Sequence, residues 1–204
     1  MSNDDSVSSA DVIRFWFGAP GPVERVEPAV SRRWWGKDPA FDEEVRRRFA
    51  EAHDRATRGA LHDWATTPRG RLALVIVLDQ FSRNMFRDDP RAFASDALAQ
   101  AHTSAAIAAG DDLDLTAIER VFVYMPLMHA ENLALQEQCV QCFERLAAAA
   151  PAEHADMLRN NLDFAVRHRD IVAKFGRFPH RNATLGRNSS AAELAFLQEP
   201  NSSF

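Results

Sequence analysis

"RGRLALVIVLDQFSRN", residues 69–84, is the stretch on which the fold turns. Its apolar run, Leu72–Leu78, is β-branched enough for a buried strand. A lone strand would have no pairing partner, and the segments on either side repeat their apolar residues at helical spacing. The stretch therefore reads as a helix, and the chain as all-α. On that helix Leu72, Val75 and Ile76 share a face with Asp79 and Arg83. Acid and base stand four residues apart, acid first, the favourable order for a pair. Two readings stand: a structural ion pair, or Asp79 orienting Arg83 toward a ligand with Arg87 one turn further along.

Outward from this stretch the helices follow in order. Residues 10–18 form a first helix ending near Gly18, and "APGPVERVEP" (19–28), with three prolines, is an extended connection. From Pro39 an amphipathic helix puts Phe41, Val45, Phe49, Ala52 and Ala56 on one face, with Glu43, Glu44, Arg46 and Arg47 opposite, until Gly59 stops it. A fourth helix covers 90–109, between Pro90 and Gly110. A fifth covers 115–149 and is kinked at Pro126, which cannot donate to the Phe122 carbonyl. A sixth spans 152–175, and a short last helix starts at Ser190, where "SAAE" fits a capping box closed by Glu193. Short connections favour antiparallel neighbours. The expected architecture is a single all-α domain over 1–204, about seven helices in antiparallel hairpins, with residues 1–9 a disordered tail and 198–204 a loose one.

The 204 residues carry 46% hydrophobic and 26% charged side chains, enough for one core without disulfides or a structural metal. No apolar run approaches the roughly 20 residues of a membrane span, and the start carries acid before its first base, Arg14; a cytoplasmic protein is expected. The two cysteines, "CVQC" at 139–142, fall late in a helical stretch rather than at a helix start, and two ligands make a poor zinc site. They read as small core residues, and no metal site is expected.

Polar constellations remain. Around Pro126, Arg120, Tyr124, Leu127 and Glu131 form one helical stripe, while His129 and Glu131 stand two apart and so point about 200° away from each other. The stripe is either a structural polar network or a ligand contact. His168 shares a face with Phe164, Ile171 and Phe175, the setting of a hydrogen-bonded core histidine or, less commonly, a ligand. His53, His62, His102 and His154 have no flanking pattern. From Arg167 to Arg187 there are six Arg or Lys against one acid, Asp170, in a chain of net charge −5. Gly176, Pro179 and Gly186 supply turns, Asn182 can fold onto the backbone, and Phe175, Phe178 and Leu185 pin the loop. Fork-shaped donors on a pinned loop suit carboxylate or phosphate. Alternatively the arginines neutralise acids such as Asp79, Glu119 and Glu131. A pI near 5.8 and the lack of any nucleic-acid motif argue against DNA or RNA. No phosphate-binding glycine loop, G-x-S-x-G or H-E-x-x-H is present.

Four blocks, "LDQFSRNMFR" (78–87), "RVFVYMPLMHAENLALQ" (120–136), "HRDIVAKFGRFPHRN" (168–182) and "LGRNSSAAELAFL" (185–197), with the earlier "VIRFWFG" and "WWGKD", resemble the bacterial family called domain of unknown function 924. The resemblance runs from about Asp11 to Leu197. It implies an all-α fold similar to tetratricopeptide repeats, and a polar set of Asp79, Arg83, Asn84, Arg87, Arg120, His129, Glu131, Gln136, His168, Arg177, His180, Arg181, Asn182 and Arg187. Ser82 stands where the family pattern has proline, and Ala130 where it has serine. The family's activity is not established, so no cofactor or reaction follows.

The resulting expectation is a small anionic ligand held where the 177–187 loop covers the kinked fifth helix. Arg83, Arg177 and Arg181 bind the anion, with Arg87, Arg120, Asn182 and Arg187 as further ligand contacts. His129, His168 or His180 transfers a proton; Glu131 and Asp79 orient; Asn84 and Gln136 hold structure. The alternative is a groove of helical hairpins that binds a peptide or protein. Neither nucleic acid nor membrane is an expected partner.

Overall fold

The computed structural model describes residues 7–203, and these are helical with no strand among them. Residues 1–6 of the expected N-terminal tail lie outside the described residues. The described residues divide into two compact units: those up to Arg87 with 91–126, and 88–90 with those from Leu127 onward.

In the first unit, α1 (Ser9–Phe17) starts at a capping box made by Ser8 and Asp11 and ends on Gly18, whose φ of 80° suits glycine. Helix α2 (Pro28–Trp35) lies in what the three prolines suggested was connection and its sequel; it buries none of its residues. Helix α3 (Pro39–Thr57) is capped by Asp38 and buries Phe41, Val45, Phe49, Ala52 and Ala56, the face expected from their spacing. The deciding stretch is helical: α4 (Pro68–Val75), one π-helical turn (Ile76–Phe81) and α5 (Ser82–Met85). Leu72 to Leu78 are all buried, so the run is apolar because neighbours cover it on every side. Thr67 caps it through the Gly70 amide, and a Cβ at Gly70 would stand 2.0 Å from the Trp64 carbonyl oxygen. In the π turn, side chains reach the backbone carbonyls: the hydroxyls of Ser82 and Ser95 approach the Leu78 oxygen at 2.8 and 2.6 Å, and Arg83 donates to the Asp79 oxygen at 2.9 Å.

The fourth helix starts later than expected. Pro90–Phe93 forms a 3-10 turn and α6 runs Asp96–Ala109, ending on Gly110. Helix α7 spans Ala117–Met128. Trp16 is the centre of the aromatic core, edge-on to Phe81 and Phe122 at 5.7 and 5.5 Å.

The expected fifth helix over 115–149 is two helices. Pro126 lies inside α7 and does not end it; the break comes at residues 129–132. There the Gln136 amide donates to the carbonyls of Met128 and Ala130 at 2.6 and 2.7 Å, and Asn132 caps the next helix by accepting from the Leu135 amide. In the second unit, α8 (Leu133–Ala148) and α9 (Ala155–Phe175) pack on each other, joined by a short connection. Residues 152–154, expected within that sixth helix, form a 3-10 turn. Helix α10 (Ala191–Phe196) carries the capping box of Ser190 and Glu193. Cys139 and Cys142 are free thiols in the core.

Candidate functional site

The break after α7 and the segment after α9 build the site in the second unit. Because the helix stops at Met128, Glu131 sits in a turn rather than on a stripe with Arg120, Tyr124 and Leu127. Its carboxylate accepts from the Phe178 amide at 2.8 Å and from both terminal nitrogens of Arg187 at 2.5 and 2.8 Å. Burial pushes the Glu131 pKa up, but the hydrogen bonds from Arg187 and Phe178 and the charges of Arg187 and Arg181 outweigh it, and the net direction is down. An ionised carboxylate so engaged holds the loop in place; it is a poor proton carrier.

Gly176 ends α9 with φ 71°, and Phe178 plunges into the core beside Ile171 and Val172. The chain then makes a 3-10 turn, Pro179–Arg181. Arg177 grips Glu193 with two hydrogen bonds of 2.7 and 2.9 Å and also donates to the Asn188 carbonyl. This pairing first, with the Ser190 amide, holds the Glu193 carboxyl well below its ordinary range. The Asn182 side chain does not fold onto its own backbone: its Nδ2 donates to the Ser189 hydroxyl at 3.0 Å, while the Asn182 backbone carbonyl accepts from the Arg187 backbone N–H.

Between these struts lie three imidazoles and one guanidinium. Arg181 is only 6% exposed and its guanidinium stands 4.6 Å from the Phe178 ring centroid. His168 meets Phe178 edge-on at 5.5 Å, His129 lies 6.5 Å from His168, and His180 lies 5.6 Å from Phe178. The Nδ1 of His168 is 2.8 Å from the Phe164 carbonyl, which can only accept; Nδ1 therefore carries the proton, and in the neutral ring Nε2 holds the lone pair. Burial, followed by the charges of His129, Arg181 and His180 against the opposing Phe164 bond, pushes His168 down to about 3. Burial and then Arg181 push His180 down to about 4, against the pull of Glu131. Both rings are neutral at pH 7.

The remaining candidates belong to the first unit. Arg83 bridges two carboxylates, Asp79 at 2.8 Å and Asp96 at 3.1 Å, and Gln80 donates to Asp79 at 2.6 Å. Arg87 holds Asp42 with bonds of 2.7 and 2.8 Å, and Asn84 donates to the same carboxylate. Arg120 donates to the Tyr124 hydroxyl, which donates to Asp112 at 2.5 Å. Burial, then the Asp112 bond, raises the Tyr124 phenol. Glu119 pairs with Arg69 at 3.0 Å. His53, without a sequence pattern, lies 2.7 Å from the Ser82 hydroxyl, itself 2.7 Å from Ser95. Asp42 and Asp96 were invisible as partners: each reads as an ordinary first-turn acid, and their arginines are 45 and 13 residues away.

An all-helical chain with a buried Arg–His cluster behind a strapped loop is the class these features define. Residues 12–201 match the family described as bacterial protein of unknown function (DUF924), and the chain belongs to that family. A solved structure of a protein of unknown function, ATU0120, from Agrobacterium tumefaciens is 36% identical, with a TM-score of 0.80 over 93% of this chain and 96% of that one. No curated protein matches.

Proposed function

We propose that the second unit binds a small anionic ligand, a carboxylate or phosphate, beside Arg181, and that His129, His168 or His180 exchanges a proton with it. The observation that supports this is the company of Arg181: a buried guanidinium among three imidazoles, two of them held neutral by burial and its field. An arriving anion lowers that positive potential and raises the imidazole pKa values toward neutrality, where histidine is an effective acid or base. Arg177 and Arg187 act as struts through Glu193 and Glu131. Arg83, Arg87 and Arg120 serve Asp79, Asp96, Asp42 and Tyr124, and the proposal does not require them.

The test is thermal shift with inorganic phosphate, citrate, malate and a panel of phosphorylated metabolites, followed by calorimetry in buffers of different ionisation enthalpy. A binding anion raises Tm, and binding at pH 7 takes up protons. No stabilisation by any member, or equal stabilisation of Arg181→Gln, refutes the proposal.

The peptide-groove reading is favoured by one observation, an open cleft of about 590 Å³ lined by Lys174, Phe175, Arg177, Ser190, Ala192 and Glu193. We place the protein in the cytoplasm; two free buried thiols suit a reducing compartment, and among the described residues no helix is long and apolar enough to cross a membrane.

A further inference from the structure

The "WWGKD" block has no part in the cluster above, and α2 carries it on the surface of the first unit. Trp34 is the anchor: its indole N–H donates to the Trp16 carbonyl at 3.0 Å and its ring meets Phe122 at 4.7 Å. Trp35 is the reverse case. It lies nearly parallel to Phe122, at 16° and 6.2 Å, and stays 59% exposed. One ring face is supported and the other is open.

Cations flank this shelf. Arg32 precedes Trp35 by three residues and so shares its helical face, and Lys37 follows the helix end; Arg33, two residues from Trp35, points the other way, over the Phe41 ring at 5.6 Å. Arg32 and Lys37 are exposed, and among the described residues no carboxylate lies within ion-pair distance of either. In a chain of net charge −5, many of whose arginines pair with acids, these two cations flank an open indole. Covering the open face of the ring would bury apolar area that the chain by itself leaves in water.

We propose that the α2 face, Arg32, Trp35 and Lys37, docks an acidic segment of a partner protein that carries one aromatic or large aliphatic residue against the Trp35 indole. Trp and Arg are the residue types that dominate binding energy when a partner excludes water from them. Charge complementarity selects the acidic partner. The patch is short: Glu24 and Glu27 precede it in the chain, and Asp38, Glu43 and Glu44 follow it. A nucleic acid strand or an anionic lipid surface extends past two cations and meets these carboxylates, whereas a peptide of a few residues does not. The flat seat of Trp35 on Phe122 also offers a ring face, not a protruding wedge for lipid.

The test uses the full chain and four probes, read by fluorescence anisotropy or light scattering: a pentapeptide of four Glu around a central Phe, the same peptide with Gly there, phosphatidylserine-containing vesicles, and oligothymidylate. The Phe peptide binds, the Gly peptide binds at least about tenfold more weakly, and raising salt weakens both. Trp35→Ala weakens the Phe peptide at least about tenfold, and Arg32→Glu with Lys37→Glu abolishes binding. Trp35→Ala also gives up its packing on Phe122 and Trp34, so circular dichroism checks that it is folded at the assay temperature; Trp35→Phe, which keeps a ring, restores most of the affinity. No peptide binding, peptide binding indifferent to these variants, preferential binding of vesicles or oligonucleotide, or self-association that Trp35→Ala dissolves would each overturn the proposal.

Discussion

Replacing Glu131 by Gln tests whether one carboxylate holds the 177–187 segment in place. The substitution keeps shape and leaves an acceptor for the Phe178 amide, but removes the charge that Arg187 grips. The two side chains are 25% and 24% exposed, between the surface and buried limits. Surface pairs contribute about 0–1 kcal/mol, and breaking a fully buried pair costs about 3–5 kcal/mol. Glu131→Gln should therefore cost about 2–3 kcal/mol, near 5–10 °C in Tm for a chain of this size. Removing both partners, with Arg187→Met added, leaves no stranded guanidinium and should cost less than the sum of the two single changes. Thermal unfolding by circular dichroism reads all four proteins. The pH dependence supplies a second reading. The folded-state pKa of Glu131 lies below its ordinary 4.5, so its contribution is complete above that value and is lost as pH falls through the folded pKa. The variant should lack this acid-side loss. A Glu131→Gln protein within about 0.5 kcal/mol of wild type, or a double mutant as costly as the summed singles, refutes the clamp.

His168 and His180 act in a higher pH window. Their folded pKa values, about 3 and 4, lie under the ordinary 6.5, so the unfolded chain takes up their protons first and stability falls as pH drops from 6.5 toward 4. A stability–pH profile of His180→Asn should be flatter across that window than wild type, and an unchanged slope would contradict the burial of a neutral ring. Gly70→Ala places a methyl 2.0 Å from the Trp64 carbonyl oxygen, backbone against side chain, and should cost about 1–3 kcal/mol or more in denaturant unfolding. Cys139 is buried and its thiol is pushed well above the ordinary range by burial, so a thiol reagent should find neither Cys139 nor Cys142 in the native protein and both after denaturation.

How far the fold was legible depended on whether the signal was local. The α3 face, the glycine stops at Gly18, Gly110 and Gly176, and the Ser190–Glu193 box are set by residues within one or two turns, and they read correctly. The helix–strand ambiguity of Leu72–Leu78 yielded to context, because a wholly buried helix and a buried strand carry the same apolar run. The break at 129–132 went unread for the opposite reason: Pro126 drew attention as the local signal and lies inside α7, whereas the break depends on the Gln136 side chain reaching back six and eight residues to two carbonyls. Helix α2 escaped notice because it buries none of its residues, which leaves its pattern without an apolar stripe.

The site was legible as composition and not as pairing. Six cations in 21 residues announced a cationic segment, yet a guanidinium's role depends on which carboxylate it meets, and those partners lie at Glu131 and Glu193, far from one another in the chain. The pairing identifies two struts in the segment, beside the guanidinium proposed above to meet an anion. Arg177 and Arg187 use bidentate forks on carboxylates and a further donor on a backbone carbonyl, the arrangement that fixes a loop. Arg181 stacks on Phe178 between those struts, so its position is set by groups other than itself. That is the condition for a binding residue to be preorganised: the cost of ordering its side chain is met by folding, and a ligand that finds it need not order it again. Loosening either strut should therefore weaken an anion's hold on Arg181 before it changes the chemistry of the imidazoles around it.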